Sequence, residues 1–228
     1  MSIGFRAYFE IPRPDTTIIL SFAGLPVANI ADNMNRMYCV DSAIRSLNGL
    51  PLLGPAYTVK VCPGDNLVIH KALHRAKPGD ILVIDGGGYT ERSLIGEIVV
   101  RQSIAIGLGG WLIDGMVRDI EEIARLPMPV YARGVSPCGP YKNGPGEIGV
   151  PVCIGGQVVM PGDIIVGDQD GVVVVRSADA VELAELARRQ NEREKKVLKD
   201  IANGIMDTGW IERFCEEKGL EVHDGPYL

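Results

Sequence analysis

Three Pro-Gly-Asp triplets, at Pro63–Asp65, Pro78–Asp80 and Pro161–Asp163, constrain this chain more than any other feature. Each stands next to an apolar run. Proline fixes φ for a turn, glycine permits φ > 0, and aspartate can bond the backbone just beyond. We read them as turn chemistry rather than as the mark of a duplicated domain. They require short elements that reverse sharply.

The runs between the turns suit a β/α first half. Tyr57–Val61 alternates β-branched and polar residues, as a strand does. Ser21–Ala31 is apolar and opens a helix or a loop, and Asn33–Asn35 turns the chain. Asn66–Ala76 reads as a helix with Leu67, Ile69, Ala72 and Leu73 near one side. Ile81–Ile84 is a short apolar strand, Ser93–Gln102 a helix, and Ile104–Ile113 a strand. Glu121 and Glu122 begin a short helix that ends before Pro127.

From Pro129 the texture turns to strands: Val130–Ala132, Val150–Ile154, Val158-Val159, Ile164–Val166 and Val172–Val175. Gly155-Gly156 and Asp170-Gly171 are two-residue hairpin signals. This half reads as a compact β-meander or barrel, with Pro137–Glu147 as a long surface loop. Ser177–Ala202 is a strong helix. Ser177 or Asp179 caps it, Glu182 stands in the capping-box position, and Glu185–Arg189 and Glu192–Lys196 are favourable pairs. Gly204 and Gly209-Trp210 break it before a last helix around Ile211–Lys218. The expected organisation is a loose lead-in over residues 1–20, a core domain over 21–176 and a helical extension over 177–228.

The net charge of −6, with no long basic run, argues against a general affinity for nucleic acid. No 18-residue apolar segment exists, so no membrane span is expected. Met1–Pro14 carries charges and two prolines where a signal peptide needs an apolar stretch. The five cysteines are odd in number and lack Cys-x-x-Cys spacing; Cys62 and Cys153, in strand-like runs, read as core thiols. The expectation is a soluble protein of a reducing cytoplasm.

One segment carries candidate chemistry. The apolar run from Gly109 reaches a tight Asp114-Gly115 turn, which presents Arg118 and Asp119 side by side. Arginine can hold a carboxylate with two parallel N–H bonds, and aspartate can hold a hard divalent cation. The pair can grip an anionic, metal-chelating small acid, or it is a surface ion pair after a hairpin. Gly86-Gly87-Gly88 is either an anion cradle between a strand and a helix or a flexible connector. Gly96 permits close backbone approach, while Glu97 either meets Asp119 across a cleft or is a solvated helix charge. His70 and His74 have metal-pair spacing on a helix but no third ligand, and read as surface or packing residues. No Gly-x-Ser-x-Gly elbow is present.

Taken in order, Gly54–Val59, Pro63–Asn66, Pro78–Asp85, Gly96-Glu97, Gly115–Asp119, Pro161–Asp168 and Asp170–Val175 resemble the family that joins class II 4-hydroxy-4-methyl-2-oxoglutarate aldolases with regulators of ribonuclease activity A. The resemblance covers roughly residues 20–176. It implies an α/β fold like the swivelling β/β/α domain of phosphohistidine proteins, a single domain with a C-terminal helical tail. It also implies homotrimers, often paired into homohexamers, with sites at subunit clefts. Carried onto this chain, Arg118 would bind the substrate carboxylate and Asp119 would be the protein ligand of Mg²⁺ or Mn²⁺. Gly96, Glu97, Ile98 and Val99 would line the substrate pocket, Glu97 would hold metal-bound water, and Asn66 matches a pocket amide. The helical tail continues as in the aldolases rather than stopping as in the regulators. Glu194 is the first choice, and Glu192 the second, for the tail acid that reaches a neighbouring site. The implied activity is retro-aldol cleavage of a 4-hydroxy-2-oxo acid to pyruvate, accompanied by oxaloacetate decarboxylation. The alternative is a protein-binding ribonuclease regulator. A methyltransferase ranks last, because no nucleotide loop for a methyl donor is found.

Overall fold

The computed structural model describes residues 2–226. The chain packs as two units, the first ending at Arg188 and the second beginning at Arg189. In chain order the elements are β1 (Phe5–Ala7), α1 (Thr16–Leu20), α2 (Val27–Asn33), β2 (Arg45–Ser46), β3 (Leu52–Val61), α3 (Leu67–Leu73), β4 (Ile81–Ile95), α4 (Glu97–Ala105) and β5 (Gly110–Val117). Then come α5 (Ile120–Ile123), β6 (Val130–Val135), β7 (Gly146–Ile148), β8 (Val152–Ile154), β9 (Gln157–Val159), β10 (Ile164–Gly167), β11 (Val172–Val175), α6 (Ala180–Ala202) and α7 (Gly209–Glu217).

Nine strands form one sheet in the order β1-β7-β3-β4-β5-β6-β2, with β10 joined to β3 and β11 to β10. The central strands β3, β4, β5 and β6 are parallel, because a helix-bearing crossover separates each from the next. Their sequences are apolar on both faces, so both faces need a cover. Leu82 and Ile84 point into one cluster with Tyr57, Ile69, Val100 and Trp111. Ile81 and Val83 point into another with Leu112, Tyr131, Val152 and Ile165. The late strands are therefore not a separate meander or barrel. Strands β7 and β10 extend the same sheet along β3, and the β8–β9 hairpin contributes Val152 and Ile154 to the cover of its second face.

The three Pro-Gly-Asp turns bury all three aspartates. Only Asp65 bonds the backbone just beyond, accepting from Leu67 N–H at 2.9 Å. Asp80 and Asp163 reach back three residues, to the N–H of Lys77 and of Met160, while their own N–H groups return the bond. Distant arginines neutralise those two: Arg13 grips Asp80 with two 2.7 Å bonds, and Arg176 pairs with Asp163. The lead-in is tied down by Arg13 and by the pairing of β1 with β7.

Other local expectations are corrected. The run Gly86–Gly88 is no loop before a helix; β4 continues through it as a bulged strand, with Gly87 and Gly88 at φ +66° and +68°. A Cβ on Gly86 would press on Asp114 O and Leu94 Cδ1, so the bulge packs closely instead of cradling an anion. Ser93 stays in the strand because its N–H and Oγ both donate to Cys138 O, and α4 begins only at Glu97 and runs through Ile104. Asp114 and Gly115 lie inside β5, where the Asp114 carboxylate accepts from Gly155 N–H and Arg133. Gly155-Gly156 does make the β8–β9 turn, but four residues, 168–171, connect β10 to β11. Cys153 points outward between buried Val152 and Ile154, and Cys62 is half-buried just past β3.

Helix α6 starts at Ala180 and buries Ala180, Leu183, Ala184 and Ala187 in a third apolar cluster with Phe22 and Ile30. Ser177 Oγ donates to Gly162 O instead of capping it. In the second unit, α7 buries no residue, and Trp210 meets Phe214 edge to face with 6.0 Å between centroids. Among the described residues no helix is long and apolar enough to cross a membrane.

Candidate active site

Parallel strands leave their C-terminal ends on one side of a sheet, where α/β proteins gather ligand-binding loops. Here the exits of β4 and β5 lie side by side, tied by Arg118 N–H to Ile95 O at 3.0 Å. That bond sets Gly96-Glu97 against Arg118-Asp119. Helix α4 is fastened behind them, since Trp111 Nε1–H donates to buried Ser103 Oγ and Ser103 donates on to Val99 O.

Asp119 sits in the left-handed region, at φ 61° and ψ 41°. Its Oδ2 accepts the N–H of Glu97 at 3.0 Å and lies 3.7 Å from Arg118 Nε. Gly96 makes this approach possible, because a Cβ there would overlap Asp119 Oδ2 and stand 3.0 Å from Arg118 Cγ. Arg118 is half-exposed, and among the described residues its one ion pair is with Asp119.

A cavity of about 210 Å³ opens against this pair. Asn66 and His70 line it from α3 and its start, Leu94 to Gly96 from the end of β4, and Ile98 and Val99 from α4. Pro140 and Lys142 close it from the long loop. Asn66 is buried and donates through Nδ2 to Leu94 O at 2.9 Å, which leaves its Oδ1 as a buried acceptor without a partner among the described residues. Burial, then the charges of Lys142 and His74, push the His70 pKa below its ordinary value.

The structure thus brings together Asn66, Gly96, Ile98, Val99, Arg118 and Asp119. Glu97 gives the group its N–H, while its carboxylate turns to Arg101 at 2.7 Å on the same helix. Glu194 accepts from Gln190 at 2.9 Å on the exposed part of α6, and Glu192 is exposed there too; both belong to the second unit. Sequence reasoning missed His70 and Lys142 as cavity residues. The length of the 137–147 segment in a chain of short connections was the available signal for Lys142.

The RraA-like family model, described as Aldolase/RraA, matches residues 27–174. A protein of Halalkalibacterium halodurans, provisionally named a 4-hydroxy-4-methyl-2-oxoglutarate aldolase, is 34% identical over 195 residues, covering 85% of this chain and 93% of that one. The structure of Streptomyces coelicolor RraAS2, an unusual member of the RNase ES inhibitor RraA family, superposes with a TM-score of 0.72 at 28% identity. That match covers 80% of this chain and 97% of the other. The RNA-processing inhibitor RraA from Thermus thermophilis gives a TM-score of 0.61 at 28% identity, over 66% of this chain and 92% of its own. The mixed α/β fold with a C-terminal helix is shared with these structures. The chain belongs to the RraA-like family.

Proposed function

We propose that this protein is a divalent-metal-dependent carbon–carbon lyase of the 4-hydroxy-4-methyl-2-oxoglutarate aldolase type, acting on 4-hydroxy-2-oxo acids and decarboxylating oxaloacetate as a side activity. The observation that carries the reading is the Arg118–Asp119 pair in the wall of a cavity, where among the described residues the arginine's one ion pair is with Asp119 and Asp119 Oδ2 takes the Glu97 N–H. The relative named as an aldolase supports it.

Mg²⁺ or Mn²⁺ fits the donor chemistry. Asp119 offers Oδ1 as a hard oxygen, and no cluster of three metal-ligating side chains gathers among the described residues. A cation held by one carboxylate, with water and substrate oxygens completing its shell, is the ordinary habit of Mg²⁺. When bound, the ion supplies Lewis acidity to the keto oxygen of the substrate.

The chain's own groups do the rest. Arg118 takes the C1 carboxylate in a two-pronged grip and faces the negative charge that grows on the keto oxygen. The backbone of Gly96–Val99 lines the bound acid, and the unpartnered Asn66 Oδ1 stands ready for a donor. Lys142 and neutral His70 offer polar contacts to the far end of the acid. The C4 hydroxyl gives its proton to a water that Glu97 would hold once its carboxylate leaves Arg101, together with Glu194 or else Glu192 from another copy in a homotrimer or homohexamer. The C3–C4 bond then breaks, its electron pair flows toward the keto oxygen, and C3 takes up a proton to give pyruvate.

The test is pyruvate release from 4-hydroxy-4-methyl-2-oxoglutarate with Mg²⁺, with chelator, and in Arg118→Ala and Asp119→Ala. Loss of a buried carboxylate partner costs about 2–5 kcal/mol, roughly thirty-fold to several thousand-fold in rate. Near-parental rates in both variants, or turnover that survives the chelator, overturn the reading. The likeness to two RraA structures favours a second reading, a protein-binding regulator of a ribonuclease. Capture of the ribonuclease by a protein that releases no pyruvate would select it.

A further inference from the structure

The geometry points to Arg92 as a positioning residue for the site proposed above, and the inference rests on that reading. Arg92 lies near the end of β4, outside the cavity. Its side chain crosses Gly64, where a Cβ would come within 3.0 Å of Arg92 Cδ. Beyond that glycine it grips the long loop at two points. Nη1 donates to Gly139 O at 2.8 Å, Nη2 donates to Tyr141 Oη at 2.8 Å, and the guanidinium lies 4.0 Å from the Tyr141 ring centroid.

The other face of the same strip meets the site. Gly139 lies so near Arg118 that a Cβ would stand 3.0 Å from Nη1, and Pro140 and Lys142 line the cavity. Residues 139–142 are therefore held between two guanidinium groups, one structural and one facing substrate. Asp65 completes the hold by accepting from Asn143 and Gly144 N–H at 2.6 and 3.0 Å, and Tyr141 exchanges backbone bonds with Gly64 and Asn66. A planar fork and a stacked ring fix orientation in a way that a lone ammonium does not. Arg92 thereby sets where Lys142 stands and how much room the Arg118 guanidinium has, without touching substrate.

The test compares Arg92→Ala, Arg92→Lys and Tyr141→Phe with the parent. It measures pyruvate release from 4-hydroxy-4-methyl-2-oxoglutarate with Mg²⁺, and backbone hydrogen exchange over residues 138–144. For Arg92→Ala, KM should rise about tenfold with kcat within about threefold of the parent. Exchange in the strip should quicken, and Arg92→Lys should recover part of both effects. Unchanged KM in folded Arg92→Ala overturns the inference, as does a raised KM with unchanged exchange. Should Arg92→Ala fail to fold, Arg92→Lys and Tyr141→Phe carry the same comparison. A parent protein that releases no pyruvate overturns the aldolase reading instead; quickened exchange in the strip then upholds the positioning role of Arg92, and unchanged exchange overturns it.

Discussion

The N–H of Glu97 donates to Asp119 Oδ2 at 3.0 Å, so the aspartate beside the site arginine caps the first turn of α4 rather than its own short helix α5. The residue assigned to the metal is also a structural clasp between two strand exits. These two duties can be separated.

Asparagine tolerates the left-handed region and offers the same acceptor to a helix N-terminus. Asp119→Asn should therefore keep its unfolding free energy within about 1 kcal/mol of the parent. Metal-dependent pyruvate release should fall by on the order of a hundredfold or more. Asp119→Ala loses the cap and strains the backbone, and should cost about 1–3 kcal/mol. Urea titrations and pyruvate assays on the same preparations check this.

Two glycines flank Arg118, and they should fail differently. In Gly96→Ala the new methyl overlaps Asp119 Oδ2, and overpacking of this kind costs about 1–3 kcal/mol along with activity. In Gly139→Ala the only close neighbour among the described residues is Arg118 Nη1, the far end of a flexible side chain. That variant should fold within about 0.5 kcal/mol of the parent and show its defect in KM. Steady-state kinetics beside thermal unfolding separates the two.

His70 makes stability depend on pH. Its pKa in the fold lies below the ordinary value of 6.5, chiefly through burial. As pH falls through that ordinary value, the unfolded chain takes up a proton that the folded chain refuses, so stability present above it is lost. From about pH 7 to about pH 5.5 the parent should lose more stability than His70→Gln. Equal losses in urea midpoints would refute this.

Arg13 and Asp80 form a two-pronged pair around a carboxylate with no exposure. Arg13→Ala strands that charge and should cost about 3–5 kcal/mol. Adding Asp80→Asn to Arg13→Met should recover most of the loss, a comparison read directly from denaturant midpoints.

Lys142 in the cavity wall invites the idea of an imine with the 2-oxo acid. The proposed chemistry has no use for one. Borohydride added with pyruvate should leave no adduct mass on the protein, and activity should survive while chelator abolishes it.

Much of the fold was legible where one interaction dominates. The two-sided apolar runs at Ile81–Ile84 and Val130–Ala132 become buried parallel strands, and Gly155-Gly156 makes its hairpin. Arg118, Asp119 and Gly96 were expected at one site from the family resemblance, since residue type alone left Arg118-Asp119 open to being a surface ion pair; the structure brings the three together at a cavity. His70 was read as a surface or packing residue because only the packing of α3 reveals which side meets the cavity. Lys142 was hidden because its segment is gathered by residues far away in sequence, Asp65 through backbone N–H groups and Arg92 through Gly139 and Tyr141. The arginine on Asp80 escaped notice for the same reason, since Arg13 lies 67 residues away along the chain. The Asp114-Gly115 pair misled because turn propensity yielded to a buried ladder position in β5.

Strand β3 is bonded along one edge to β4, and along the other to β10 near its start and β7 near its end. A chain emerging from the ribosome makes the first of these neighbours early and the other two late. Until Gly146–Ile148 and Ile164–Gly167 arrive, one flank of the central strand stays bare, open to wrong pairing and to aggregation. Such distant pairings also slow folding. The growing polypeptide therefore keeps part of that flank of β3 unpaired until Gly167 has been made.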